Sequence, residues 1–295
     1  MRNYVSTVSQ PESLAPLTDR KNGAKFFEAS YRVRTGDVDQ EMRVRLDSVA
    51  RYLQDCANDN IEATDLGDSD PFWIVRRTVI DVIRPFSWPA TVTAQRWCGA
   101  LSTRWTNMRV RLTADHETNR FNPDPRPPGL IETEAFWINV NDAGMPSRIS
   151  DEAFALLSGM NDEHRLRWRS MNPEKAPRAD EVELPDRPHV LRSTDFDPFK
   201  HLNNAAYLEA IEDELAEHTT LIDGPHRVVI EYLRPIVPDT ALTLRRLREP
   251  DRLLVWMLIP ADPDASGDSE EPELQVAATV SVTRLATDAE QPKSE

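Results

Sequence analysis

Val33-Arg34-Thr35-Gly36-Asp37-Val38-Asp39 returns later in the chain as Leu191-Arg192-Ser193-Thr194-Asp195-Phe196-Asp197. Self-similarity at long period decides architecture before any motif does, and two more echoes follow in the same order. A stretch with apolar residues at helical spacing comes after each copy: Leu46, Val49, Ala50, Leu53 and Ala57, then Leu202, Ala205, Ala206, Leu208 and Ile211. Both stretches contain Tyr-Leu, at Tyr52-Leu53 and Tyr207-Leu208. Asp47 or Ser48 can cap the first helix, and Asn203 or Asn204 the second. Finally Ile80-Asp81-Val82-Ile83-Arg84-Pro85 is answered by Ile230-Glu231-Tyr232-Leu233-Arg234-Pro235. The offset falls from 158 (Asp39 to Asp197) through 155 (Tyr52 to Tyr207) to 150 (Ile80 to Ile230), as short deletions in one copy produce. Three ordered matches make the chain an internal duplication.

Each copy reads as a strand, one helix and then several strands. Strands are expected at 73–83, 91–97, 105–112 and 133–140, and again at 226–233, 241–247, 253–259 and 274–283, where Thr, Val and Trp recur with partial alternation. This is an α+β pattern in which an antiparallel sheet must curl around its one helix. The expected division is a first domain over 24–158, a connection over 159–188 and a second domain over 189–286. Asp115 to Gly129 and the acidic Ala261 to Glu273 are expected to be surface loops, and residues 1–23 and 286–295 mobile tails.

Composition narrows the class of protein. The 295 residues suit two modest domains. Two cysteines, Cys56 and Cys98, lack metal-ligand spacing, which argues against a disulfide framework or a zinc site and for a reducing compartment. No signal-type or membrane-spanning apolar run occurs, so a cytoplasmic location is expected. A net charge of -15 disfavours a nucleic-acid partner, although Arg165, Arg167 and Arg169 could meet an anionic one. Phosphate-binding glycine loops, a Gly-x-Ser-x-Gly elbow and His-Glu-x-x-His are missing from the sequence, and no cofactor is expected.

The segment Asp195-Phe196-Asp197-Pro198-Phe199-Lys200-His201-Leu202-Asn203-Asn204-Ala205-Ala206-Tyr207 resembles the hotdog thioesterase signature. That signature is an aspartate, a histidine four residues on, then Asn-Asn and an aromatic opening a helix. With the duplication and strands such as that of Phe136-Trp137, residues 26–285 are similar to the acyl-acyl-carrier-protein thioesterases. The resemblance implies a double hotdog, hydrolysis of fatty acyl-carrier-protein or acyl-CoA thioesters, and a catalytic centre in the second copy. It leaves a homodimer open. It also implies that the first copy supplies the acyl pocket, to which Trp73, Trp88 and Trp97 could contribute if they are not ordinary core. The family's second hotdog carries Asp, Asn and His at alternate positions and a Glu on the following strand. Asp197 and His201 match; Phe199 stands at the Asn position and Pro235 at that of the Glu.

Hydrolysis of a thioester needs a carboxylate to activate water or attack, and donors for the developing oxyanion. Asp197 just ahead of a helix, His201, and free N–H groups around Asn203 and Asn204 can supply them. The alternative is that Asp197 and Asn203 merely cap the helix. Glu231 shares a strand face with Pro235 and could replace the missing glutamate, yet Asp81 at the matching place points to a structural role. A non-catalytic acyl-thioester-binding protein remains a rival reading. A hotdog hydratase is a weaker one, since its Asp and His are five apart and here they are four.

Overall fold

The computed structural model describes residues 17–64, 66–261 and 273–285. The first half contains β1 (Phe27–Arg32), α1 (Leu46–Glu62), the short α2 (Leu66–Ser69), β2 (Trp73–Arg84), β3 (Ala90–Leu101), β4 (Trp105–His116), β5 (Gly129–Asn139) and α3 (Asp151–Ser158). The second half contains β6 (Arg187–His189), α4 (Asn204–Leu215), β7 (His226–Tyr232), β8 (Leu242–Glu249), β9 (Arg252–Pro260) and β10 (Leu274–Arg284). Every ladder is antiparallel, and the order is β1-β3-β4-β5-β2-β7-β10-β9-β8-β6. Read inward from each edge, the halves have one topology: raising each label of the first by five yields the second. This is a double hotdog. Residues 262–272, 1–16 and 286–295, which include most of the acidic loop and the tails expected from sequence, lie outside the described residues. The loop's flanks meet through the Ala261 N–H and the Glu273 carbonyl, 2.6 Å apart.

The long helices share one face of the sheet and a single core. Leu46, Val49 and Tyr52 of α1 and Ala205, Leu208 and Ile211 of α4 join Ile80, Val92, Leu112, Val228, Val255 and Val280 in it. The helix pattern read from sequence is what buries these positions. α3, which the sequence pattern did not suggest, closes the far end of the first half through Leu157, beside Cys98, Leu101 and Met108.

Backbone pairing corrects the repeat register. The Asp39 N–H donates to the Arg43 carbonyl (2.8 Å) as that of Asp197 does to His201 (2.9 Å), so the loops stand 158 apart. Val44 N–H meets the Phe86 carbonyl, and Leu202 N–H that of Ile236, so the strand ends stand 150 apart. The loss falls wholly between loop and strand, where α1 has 17 residues and α4 has 12. Tyr52 and Tyr207 are therefore not counterparts: the Tyr52 hydroxyl donates to Asp37 (2.6 Å), while Tyr207 stacks edge-on against Tyr232.

The halves join where β2 pairs with β7, with Val79 opposite Val229. On the face away from the helices this seam carries two buried ion pairs related by the duplication, Arg227–Asp81 at 2.5 Å and Arg77–Glu231 at 3.5 Å. Residues 169–172 cover it. Glu231 accepts from the Ser170 hydroxyl (2.9 Å) and the N–H groups of Met171 (2.9 Å) and Asn172 (3.2 Å). Removing one member of a buried, fully donated pair leaves the rest unsatisfied. Glu231→Ala is thus expected to cost about 3 kcal/mol of unfolding free energy or more, read from urea denaturation.

His226, at the start of β7, is 1% exposed and its Nδ1 lies 2.8 Å from the Gly224 carbonyl. Burial, opposed by that contact and helped by the positive charge of Arg43, pushes the imidazole down to about 4. The unfolded chain therefore binds this proton more readily. His226 contributes stability that is present above about pH 6.5 and is lost as pH falls towards 4, on the order of 3 kcal/mol in full. Denaturation midpoints between pH 7 and 4 should fall less steeply in His226→Phe than in the parent.

Candidate active site at the amino end of α4

The duplicated loop forms the same turn twice. Asp197 Oδ1 accepts from the N–H groups of Phe199 (2.9 Å) and His201 (3.1 Å); Asp39 Oδ1 accepts from those of Glu41 (3.0 Å) and Arg43 (2.8 Å). Lys200 and Met42 occupy the same left-handed position, at φ 62° and 61°. Strain of this kind in a non-glycine residue persists where surroundings enforce it. Asp197 and Asp39 are therefore both loop-formers rather than helix caps, a role that falls to Asn203 alone of the two residues named for it, and any chemistry must come from what is left over.

The leftovers differ. In the first copy Asp39 Oδ2 is taken by the Arg43 guanidinium at 2.8 Å. The corresponding residue of the second copy, His201, is exposed, and among the described residues neither its ring nor Asp197 Oδ2 has a hydrogen-bond partner. A second difference lies at the helix starts. α1 has no side-chain cap of its own: Asp47, expected to cap it, sits buried in the first turn with Arg45 and Arg51. Its Leu46 N–H donates to Glu212 of α4 at 2.6 Å, and Glu212 also holds Arg43 at 2.7 Å. In α4, Asn203 is the cap, accepting from the Ala205 N–H at 2.9 Å. The Asn204 N–H, counterpart of that of Leu46, has no acceptor among the described residues. The residue facing it from α1 is Gln54, the counterpart of Glu212, whose amide donates to Asn203 Oδ1 at 3.1 Å.

A crevice opens beside Asn204. It runs between α1 and the first half-sheet, lined by Leu53, Gln54, Ala57, Val75, Thr78, Arg96, Met108, Val110, Thr133, Trp137, Leu208 and Tyr232. Asp197 lies close enough to act electrostatically on Tyr207, whose phenol is pushed up chiefly by burial. Tyr207 in turn packs on Tyr232, 5.2 Å between ring centroids. Asp197 and His201 thus lie on the loop that leads into Asn203 and Asn204 at the start of α4, and of these four it is Asn204 that lines the crevice. Glu231 lies elsewhere: it faces the opposite side of the sheet, in the seam, because 231 alternates with the inward residues Ile230 and Tyr232. Trp97 likewise packs on that outer side, 5.4 Å from the Arg109 guanidinium, and Trp137 is the tryptophan in the crevice. Sequence reading missed Gln54, Arg96 and Tyr232. The repeat register could have shown Gln54, as the uncharged counterpart of Glu212. A polar groove beside β6, lined by Arg187, Arg192, Glu209 and Asp213, is internally neutralised, with Arg192 bound to Glu209.

A tandem hotdog with a helix start beside an apolar crevice is the architecture expected of a fused acyl-thioester hydrolase. Comparison with known proteins agrees. Residues 24–157 match the N-terminal domain of the acyl-ACP thioesterases and residues 180–258 their C-terminal domain. An uncharacterised Mycobacterium tuberculosis protein is 38% identical over 247 residues, 83% of this chain and 92% of its own. In fold, the chain is similar to an acyl-ACP thioesterase from Bacteroides thetaiotaomicron (TM-score 0.63, 13% identity, 88% of this chain and 97% of that one). It is also similar to the 12:0-ACP thioesterase from Umbellularia californica (TM-score 0.60, 16% identity, 88% and 96%). The chain belongs to the acyl-ACP thioesterase family, and is an enzyme that hydrolyses fatty acyl thioesters. Among the described residues no helix is long and apolar enough to cross a membrane.

The Glu212 contact predicts a stability effect confined to one side of the duplication. Glu212→Ala strands the Leu46 N–H and leaves the Arg43 guanidinium with Asp39 as its remaining carboxylate partner, and is expected to lower unfolding free energy by about 2 kcal/mol. Glu212→Gln, which keeps the acceptor, should lose less than half of that by the same denaturant titration.

Proposed function

We propose that the open mouth at α4 is the catalytic centre, with Asp197 as its base and the crevice as the acyl site. One observation supports this above all: the donors and acceptors that the first copy fills internally, through Arg43 and Glu212, have no partner among the described residues in the second. The thioester carbonyl oxygen accepts from the Asn204 N–H, where the helix dipole favours developing negative charge. The Gln54 amide lies next to it and assists. Asp197 Oδ2 takes a proton from water as the water oxygen bonds to the carbonyl carbon. The C–S bond then breaks, and the departing sulfur receives a proton from the carboxyl of Asp197 or the ring of His201. The products are a free fatty acid and a thiol. Asn203 holds the helix start and orients Gln54. Family membership favours an acyl carrier protein over CoA as the thiol component. A second copy is not required, because α1 and α4 of one chain form both walls of the mouth.

Asp197→Asn retains the acceptor for the Phe199 and His201 N–H groups, so the loop stays folded while the base is lost. Turnover of acyl-carrier-protein or acyl-CoA thioesters is expected to fall by roughly 10²-fold or more, with little change in melting temperature. Asp39→Asn, at the equivalent turn, is expected to leave turnover nearly unchanged. Full activity in Asp197→Asn would remove the assignment. Wild-type protein that binds acyl thioesters without turnover would instead favour the binding-protein reading, with Phe199 at the asparagine position as its explanation.

A further inference from the structure

Among the described residues five arginines are buried: Arg77, Arg96, Arg109, Arg227 and Arg246. Four have a carboxylate partner, Glu231 at 3.5 Å, Glu132 at 2.9 Å, Asp81 at 2.5 Å and Glu214 at 3.0 Å respectively. Arg96 has none among the described residues. It is 8% exposed, and its one hydrogen bond is from Nη1 to the Asn60 side-chain oxygen at 2.5 Å. Asp59, the nearby acid of α1, accepts from the Tyr31 hydroxyl instead. The two thiols beside Arg96 do not neutralise it: burial pushes Cys56 up to about 11 and Cys98 up to about 12. A guanidinium always carries its charge, and a charge buried without a counter-ion is among the costliest arrangements in a protein.

This side chain lies in the crevice wall. It follows Val92 and Ala94 on the helix-facing side of β3 and precedes Cys98, where α3 closes the end of the half-sheet. Gln54, at the mouth, and Asn60, on Arg96, are six residues apart on α1, roughly 9 Å along the axis. The crevice therefore has a reaction end and a cationic end joined by an apolar stretch. We infer that it selects acyl groups whose far end carries a carboxylate, with Arg96 as the counter-ion. This rests on the crevice being the acyl site. The desolvation of Arg96 is already incurred on folding, so an incoming carboxylate bears only its own and can accept two parallel N–H bonds. A methyl end of equal length would lie against an unpaired cation.

The probes are pantetheine amides, which no thioesterase step consumes, in matched pairs of methyl-ended and ω-carboxyl acyl chains from short to long. Calorimetric affinities are compared for wild type, Arg96→Lys and Arg96→Met. At the best-fitting length wild type should bind the ω-carboxyl member at least about tenfold tighter, Arg96→Lys should keep that order, and Arg96→Met should reverse it. Arg96→Met should also melt at or above the wild-type temperature when empty, since an unpaired buried charge gives way to an apolar chain. The same affinity ratio in wild type and Arg96→Met overturns the inference, as does a wild-type preference for methyl-ended chains at every length. Absence of turnover on the corresponding thioesters would count against the hydrolysis reading alone, because these affinities need no chemistry.

Discussion

α1 and α4 lie antiparallel against each other, with Arg51 and Glu209, counterparts under the duplication, paired across the axis at 2.5 Å. That packing brings the start of each helix beside the middle of the other. Whatever residue the partner helix presents there decides whether the helix start is filled or free. α4 presents Glu212, which satisfies the Leu46 N–H and holds Arg43. α1 presents Gln54, which is uncharged and donates to the cap residue Asn203. A helix start attracts a carboxylate strongly and an amide weakly, so in one symmetric scaffold the start of α1 is filled while the Asn204 N–H of α4 has no acceptor among the described residues.

The opposite face of the sheet keeps that geometry rigid. Joining β2 to β7 removes two sheet edges that would otherwise be exposed. The seam is polar, with Asp81, Arg227, Arg77 and Glu231 buried beneath residues 169–172. Further along, the Trp256 indole donates to the Pro173 carbonyl, so the connection between the halves is itself part of the outer layer. A site whose two walls come from different halves depends on this, because sub-ångström looseness between supporting elements degrades catalytic geometry.

The interior is rich in arginine although the chain as a whole is acidic. Four of the buried guanidiniums are answered by carboxylates and serve the architecture; Arg96 stands apart because it lines a cavity. Net charge says nothing of this, since it averages over every charged side chain wherever it sits.

The duplication, the two long helices, most strands and the Asn203 cap of α4 were legible from sequence. Each depends on local chemistry: helical spacing of apolar residues, Asn as a cap, Asp folding a turn onto its own following N–H groups. The register of the repeat within the helices was misread, because Tyr-Leu recurs at 155 while the loop hydrogen bonds hold 158. Glu231 resembled a site residue because strand alternation tells which positions share a face, but not which face meets the helices. The cap of α1, the asymmetry between Glu212 and Gln54, and the isolation of Arg96 all belong to contacts between residues more than thirty positions apart. A side chain's partner across such a distance is set by how helices and sheets pack, and so these were decided by the tertiary structure alone.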